Sequence, residues 1–149
     1  MDNTKGFITA GIVERMGEEG QIYKFSLPDG NSNKVNGEIL NFNTFCNVNG
    51  RNIEFINYRE LKKDTPESEE LRKKLSQTCT SCIIVHDKHS PKDLFSIASP
   101  FLEYSCYVTI YSESMAPLAE LEKHLNNMGI AIMVTLEELF TREHQVLPC

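Results

Sequence analysis

The sequence predicts an α/β protein with a mostly parallel sheet, on three observations. Apolar runs of strand length alternate with amphipathic stretches of helix length. The most apolar run, Cys82-Ile83-Ile84-Val85, is continuous rather than alternating, as in a strand buried on both faces. Helix-end signals, Pro directly after Thr or Ser and Gly after the last apolar position, fall between these runs.

Taken in order, Phe7 to Met16 carries Phe7, Ile8, Ile12, Val13 and Met16 at helical spacing, with Gly17 placed as a C-cap. Gln21 to Leu27 reads as a strand with Tyr23, Phe25 and Leu27 on one face, closed by the turn residues Pro28-Asp29-Gly30. Residues 31–50 are rich in Asn and Gly and read as a surface loop. Ile53 to Ile56 is a short strand. In the charged stretch Tyr58 to Ser76, Thr65 and Pro66 fit N-cap and N1. Glu67, Glu69 and Glu70 lie early and Arg72, Lys73 and Lys74 late, an order that complements a helix dipole.

The apolar strand runs from Ser81 to His86, and Ser90-Pro91-Lys92-Asp93 then reads as N-cap, N1 proline and acidic first turn of a helix toward Ala98. Cys106 to Tyr111 is a further strand. Ala116 to Asn127 is amphipathic through Leu118, Leu121, Leu125 and Met128, and Gly129 ends it. Ile130 to Val134 reads as another strand, and Thr135-Leu136-Glu137-Glu138 as the capping box of a short helix.

The chain has 149 residues, 40% hydrophobic and 24% charged, which suits one compact folded unit over residues 1–149. No apolar run approaches the roughly 18–20 residues that span a bilayer, and the N-terminus lacks a secretory pattern, so an intracellular protein with no membrane contact is expected. A net charge of −6 argues against autonomous nucleic-acid binding, because phosphate neutralisation needs a surplus of Lys and Arg. If RNA is a ligand, another domain or subunit supplies most of the positive field.

Cys46, Cys79, Cys82, Cys106 and Cys149 are an odd set without framework spacing and read as reduced thiols. Cys79-Thr80-Ser81-Cys82 has the spacing of a redox pair or half a zinc site, but no second half follows it, and a buried, inert pair is the expectation. His86-Asp87-Lys88-His89-Ser90 follows the most apolar strand. Two His, an Asp and a Ser there could serve acid–base or metal chemistry; the blander reading is a polar loop in which Ser90 caps the next helix. His124, on the amphipathic helix, reads as a surface residue. A nucleoside cofactor site would show a Gly-rich turn after the first strand and a carboxylate ending the second. Asn3-Thr4-Lys5-Gly6 has one glycine, and Lys24-Phe25-Ser26-Leu27 has no carboxylate before Asp29, so no cofactor, no metal and no catalytic residue are expected.

Four segments together carry a family resemblance. They are Thr4-Lys5-Gly6-Phe7 through Glu14-Arg15-Met16-Gly17, the strand Gly20 to Leu27, the helix–strand–helix of Pro91 to Glu122, and Thr141-Arg142-Glu143-His144-Gln145-Val146-Leu147-Pro148. The last resembles a closing R-x-Y-Q-V-L-P, with His144 where Tyr is usual. The chain so resembles the non-catalytic subunit of the eukaryotic tRNA (adenine-58-N1)-methyltransferase; residues 31–80 add nothing to the likeness.

The resemblance implies a Rossmann-like class I methyltransferase fold that has lost S-adenosylmethionine binding. It implies a catalytic methyltransferase paralogue as partner, a heterotetramer that clamps tRNA, and a nuclear or alternatively cytoplasmic location. Against the catalytic paralogue, the cofactor turn corresponds to Asn3–Gly6 and the ribose-binding acid to the neighbourhood of Ser26. The catalytic aspartate corresponds to Asp87, with His89 in place of a proline. Arg142 and Gln145 are the candidate contacts to partner or tRNA; helix C-terminal capping is the blander role for both. The chain starts where the family's central first strand has ended and stops before its final strands, so a sheet lacking both, with apolar edges open, is expected. No counterpart of the family's N-terminal β-barrel domain is expected in these residues. Two other functions remain: an active S-adenosylmethionine-dependent RNA methyltransferase using Asp87, and an α/β interaction module unrelated to RNA.

Overall fold

The computed structural model describes residues 7–17, 20–27, 53–86 and 88–139. Helix α1 spans Phe7–Met16, as its apolar spacing requires, with Ala10 and Val13 buried. Gly17 ends it at φ +68°, where its amide donates to the Val13 carbonyl at 3.2 Å; a residue with a Cβ would strain in that left-handed conformation. Strands β1, Ile22–Ser26, and β2, Ile53–Asn57, pair in parallel, Ile22 opposite Ile53 through Ser26 opposite Asn57.

Asn57 then caps a single helical turn α2, Tyr58–Leu61, by accepting from the Arg59 amide at 3.0 Å. Helix α3, Pro66–Leu75, starts at Thr65, whose hydroxyl oxygen accepts from the Ser68 amide at 3.3 Å. The buried Ser68 hydroxyl donates to the Glu60 carbonyl at 2.7 Å and so receives the Thr65 proton at 2.8 Å. That relay ties α3 to α2 with no buried polar atom of the three left over. An exposed ion pair, Lys74 to Glu54 at 2.8 Å, adds a link from α3 to β2.

Strand β3 covers Cys79–Val85, helix α4 Pro91–Ala98, a 3-10 turn Ser99–Phe101, strand β4 Leu102–Tyr111 and helix α5 Met115–Met128. β3 and β4 are parallel, with Cys79 opposite Leu102 and then Ser81 opposite Tyr107, so β4 bulges between. Ser105, at φ +65°, takes up that excess. Gly129 closes α5 at φ +63°.

The described residues therefore hold two two-stranded parallel sheets rather than one continuous sheet. They are joined by side chains. Ile56, Leu61, Leu75 and Phe101 form one buried cluster, against which Tyr23, Phe25, Tyr58, Leu71 and Cys79 pack. Ile84, Leu94 and Ala98 form a second, with Leu27, Cys82 and Ile110 against it. Both clusters draw on β1 or the residue after it as well as on β3 or β4.

Four expectations need correction. Residues 130–139 contain neither the strand foreseen at Ile130 to Val134 nor the helix foreseen from Thr135. Ile132 and Met133 are 88% and 92% exposed, and Met133 has φ +55°. A strand is stabilised by its ladder, and β4 pairs with β3 alone among the described residues, so alternation without a neighbour gives no strand. The capping box fails for a related reason: Leu139 is 82% exposed, and a short helix with no packed face does not repay its nucleation. Ser90 sits at the N-cap of α4, but its side chain makes no capping bond; the Ser90 carbonyl accepts from the Leu94 amide at 3.1 Å. His124 is half-buried rather than on the surface. The loop foreseen at 31–50 lies outside the described residues, and no helix among them is long and apolar enough to cross a membrane.

Removing the Phe101 ring, which packs in the first cluster and against Phe25 of β1, should be costly. Phe101→Ala should lower unfolding free energy by about 3 kcal/mol, read as an earlier urea midpoint at unchanged slope; a shift too small to resolve would refute the packing role of Phe101.

Candidate functional site at the tip of strand β3

Of the polar residues singled out in the sequence, His86, His89 and Ser90 lie on one turn, between the end of β3 and the start of α4. His86 is the first residue past β3 and is buried. Its Nδ1 accepts from the Lys88 amide at 3.1 Å and the His89 amide at 3.3 Å. A ring nitrogen that accepts cannot also carry a proton, so the neutral ring holds its proton on Nε2. In this arrangement Nδ1 is the accepting nitrogen and Nε2 the donor. The His89 ring lies 4.7 Å from the His86 ring, tilted by 52°. The pair brackets the turn from the inside and outside, His86 buried and His89 exposed.

Pro91 at N1 and Asp93 in the first turn of α4 stand as foreseen. Asp87 lies outside the described residues, as do Asn3 to Gly6, Asp29, Arg142 and Gln145. Among the described residues, no three His, Cys, Asp or Glu side chains stand where they could share a metal ion. The role of His86 as a backbone acceptor was missed by sequence reasoning. Its signal was present in the spacing, since an imidazole reaches the amides two and three residues on.

At the tip of β1, Ser26 donates its hydroxyl to the Ile56 carbonyl of β2 at 3.3 Å. A carboxylate in that place would meet a carbonyl oxygen, an acceptor facing an acceptor, so the local geometry suits a hydroxyl.

The Cys79-Thr80-Ser81-Cys82 motif lies wholly within β3. Extended backbone advances about 3.3 Å per residue, which carries residues three apart roughly 10 Å, beyond disulfide reach. Cys79 packs on the first cluster and Cys82 on the second. Burial pushes the Cys82 thiol up to about 11 and raises Cys79 and Cys106 as well. Protonated thiols are poor nucleophiles and poor metal ligands. These cysteines serve the core.

No protein-family profile matches the chain, and no solved structure matches it. Among curated proteins it is similar to the tRNA (adenine(58)-N(1))-methyltransferase non-catalytic subunit of Dictyostelium discoideum, at 29% identity over 87 residues. That stretch covers 58% of this chain and 17% of the Dictyostelium protein, so the likeness is to a small part of a much longer molecule. The α/β architecture with parallel strand pairs is compatible with a Rossmann-like fold.

Two measurements check the site. His86→Ala leaves two turn amides without their acceptor and should cost about 1–2 kcal/mol of stability, seen as a lower melting temperature; an unchanged melt would mean that the turn holds without His86. The Cys82 thiol has a folded pKa above its unfolded value, so its contribution is fully present below about pH 9, and is lost as pH rises toward 11. Chemical denaturation across that interval should show stability falling by on the order of 2 kcal/mol, and Cys82→Ala should flatten the fall.

Proposed function

We propose that this chain is part of a non-catalytic subunit of a tRNA 1-methyladenosine methyltransferase complex, acting by assembly with a catalytic paralogue and by helping to position tRNA. The observation that carries this reading is the similarity to the Dictyostelium non-catalytic subunit. It agrees in kind with the resemblance of the four segments quoted above. Three features of the chain support it. Ser26, at the strand tip where a ribose-holding carboxylate is expected, is engaged with the Ile56 carbonyl. His86 is committed to holding its own turn. The net charge of −6 leaves the phosphate field to another subunit.

In this proposal the domain is a partial class I methyltransferase-like unit over residues 1–149. It works in the nucleus within a heterotetramer, binds no S-adenosylmethionine, and contacts partner or tRNA through Arg142 and Gln145. The fold contributes a rigid face rather than chemistry. Fold alone does not set function, so the test must be biochemical.

Co-expression with the catalytic paralogue should give a stable complex that methylates adenine-58 of tRNA, while the chain alone transfers no methyl group and gives no heat on titration with S-adenosylmethionine. Micromolar cofactor binding by the isolated chain would instead favour an active methyltransferase using Asp87. Recovery of native complexes free of any methyltransferase would favour a general interaction module. Arg142→Ala should weaken either complex formation or tRNA affinity several-fold; unchanged values for both would remove Arg142 from the interface.

A further inference from the structure

Among the described residues, three hydroxyl-bearing side chains stand directly before a proline, in Thr65-Pro66, Ser90-Pro91 and Ser99-Pro100. The proline ring crowds the residue before it away from helical geometry and toward an extended one. The structure separates the three. The Thr65 hydroxyl accepts from the Ser68 amide at 3.3 Å and lies 2.8 Å from the Ser68 hydroxyl, and Thr65 is half-buried. The Ser99 hydroxyl donates to the Ser96 carbonyl at 3.2 Å, and Ser99 is helical, at φ −51° and ψ −37°. Ser90 is exposed and extended, at φ −58° and ψ 130°, and its side chain makes no capping bond to α4.

We propose that Ser90 is a phosphorylation site, modified by a proline-directed kinase. Such a kinase takes its substrate extended and selects proline after the serine, a residue with no amide to leave unpaired in its pocket. Ser90 and Pro91 present that shape in the folded chain. Thr65 must first give up its contacts with Ser68, and Ser99 must first leave helical geometry. In the reaction the Ser90 Oγ attacks the γ-phosphorus of ATP. The bond from that phosphorus to the oxygen shared with the β-phosphate breaks, ADP leaves, and the hydroxyl proton passes to a carboxylate of the kinase. The Ser90 carbonyl, which accepts from the Leu94 amide at 3.1 Å, takes no part, so the start of α4 stays closed. The formal charges of Lys88 and Lys92 cancel those of Asp87 and Asp93. A phosphate of about −2 therefore makes a neutral segment anionic, with a lysine two residues to either side.

The full-length protein, purified from its own cells under phosphatase inhibition, should carry phosphate on the peptide that contains Ser90, located by tandem mass spectrometry. After enzymatic dephosphorylation, a purified proline-directed kinase with ATP should restore it at Ser90. Thr65 and Ser99 should be modified about tenfold more slowly or less, because the chain must open locally before either is presented. Ser90→Ala should remove the incorporation, and Ser90→Thr should keep it, which sets loss of the hydroxyl apart from loss of the fold. Ser99→Ala should incorporate as the parent does. Native protein without phosphate at Ser90 would overturn the proposal. So would folded protein that the kinase leaves unmodified there, or modifies equally fast at Thr65 and Ser99.

Discussion

Phe101 is the side chain on which the arrangement of the two strand pairs depends. Its ring meets Phe25 of β1 at 5.2 Å between centroids and shares a buried cluster with Ile56, Leu61 and Leu75. Among the described residues the strand-ladder hydrogen bonds stop within each pair, and apolar burial joins one pair to the other. Such burial has no directional requirement and is proportional to area, which lets a tilted aromatic contact do what a ladder does elsewhere. The backbone supports the placement of Phe101. Its carbonyl accepts from the Thr78 amide at 3.2 Å, and the Thr78 hydroxyl donates to the Leu75 carbonyl at 2.8 Å. The start of β3, the end of α3 and the start of β4 are thereby fixed at one corner.

From that corner the chain reaches the His86 turn in the length of one strand. His86 spends its accepting nitrogen on two amides, and Cys79 and Cys82 lie along an extended strand with their thiols protonated by burial. Groups of this kind steady a surface. That suits a protein whose proposed work is to hold a partner and an RNA in place.

Much of the local structure was legible before any coordinates. Helix α1 was bounded by its apolar spacing and Gly17, α3 by Thr65 and Pro66, and α5 by Leu121, Leu125 and Gly129, because these signals act through neighbours a few residues away. The extra turn α2 was signalled by Asn57 and overlooked. At the candidate site, the position of the polar turn after β3 was readable and the role of His86 within it was not, since two amides and a ring must be placed before a hydrogen bond can be counted.

The sequence by itself determined the alternation of strands and helices and the likeness that points to a non-catalytic subunit, which follow from periodicity, caps and local residue strings, whereas of the apolar run Cys82-Ile83-Ile84-Val85 only Ile84 is fully buried and Ile83 is exposed. Only the tertiary structure decided that the strands form two separate pairs, that Ser26 answers a carbonyl, and that Ile130 to Val134 is left without a ladder. A strand is completed by residues far away in the chain, and no local pattern states whether that neighbour is there.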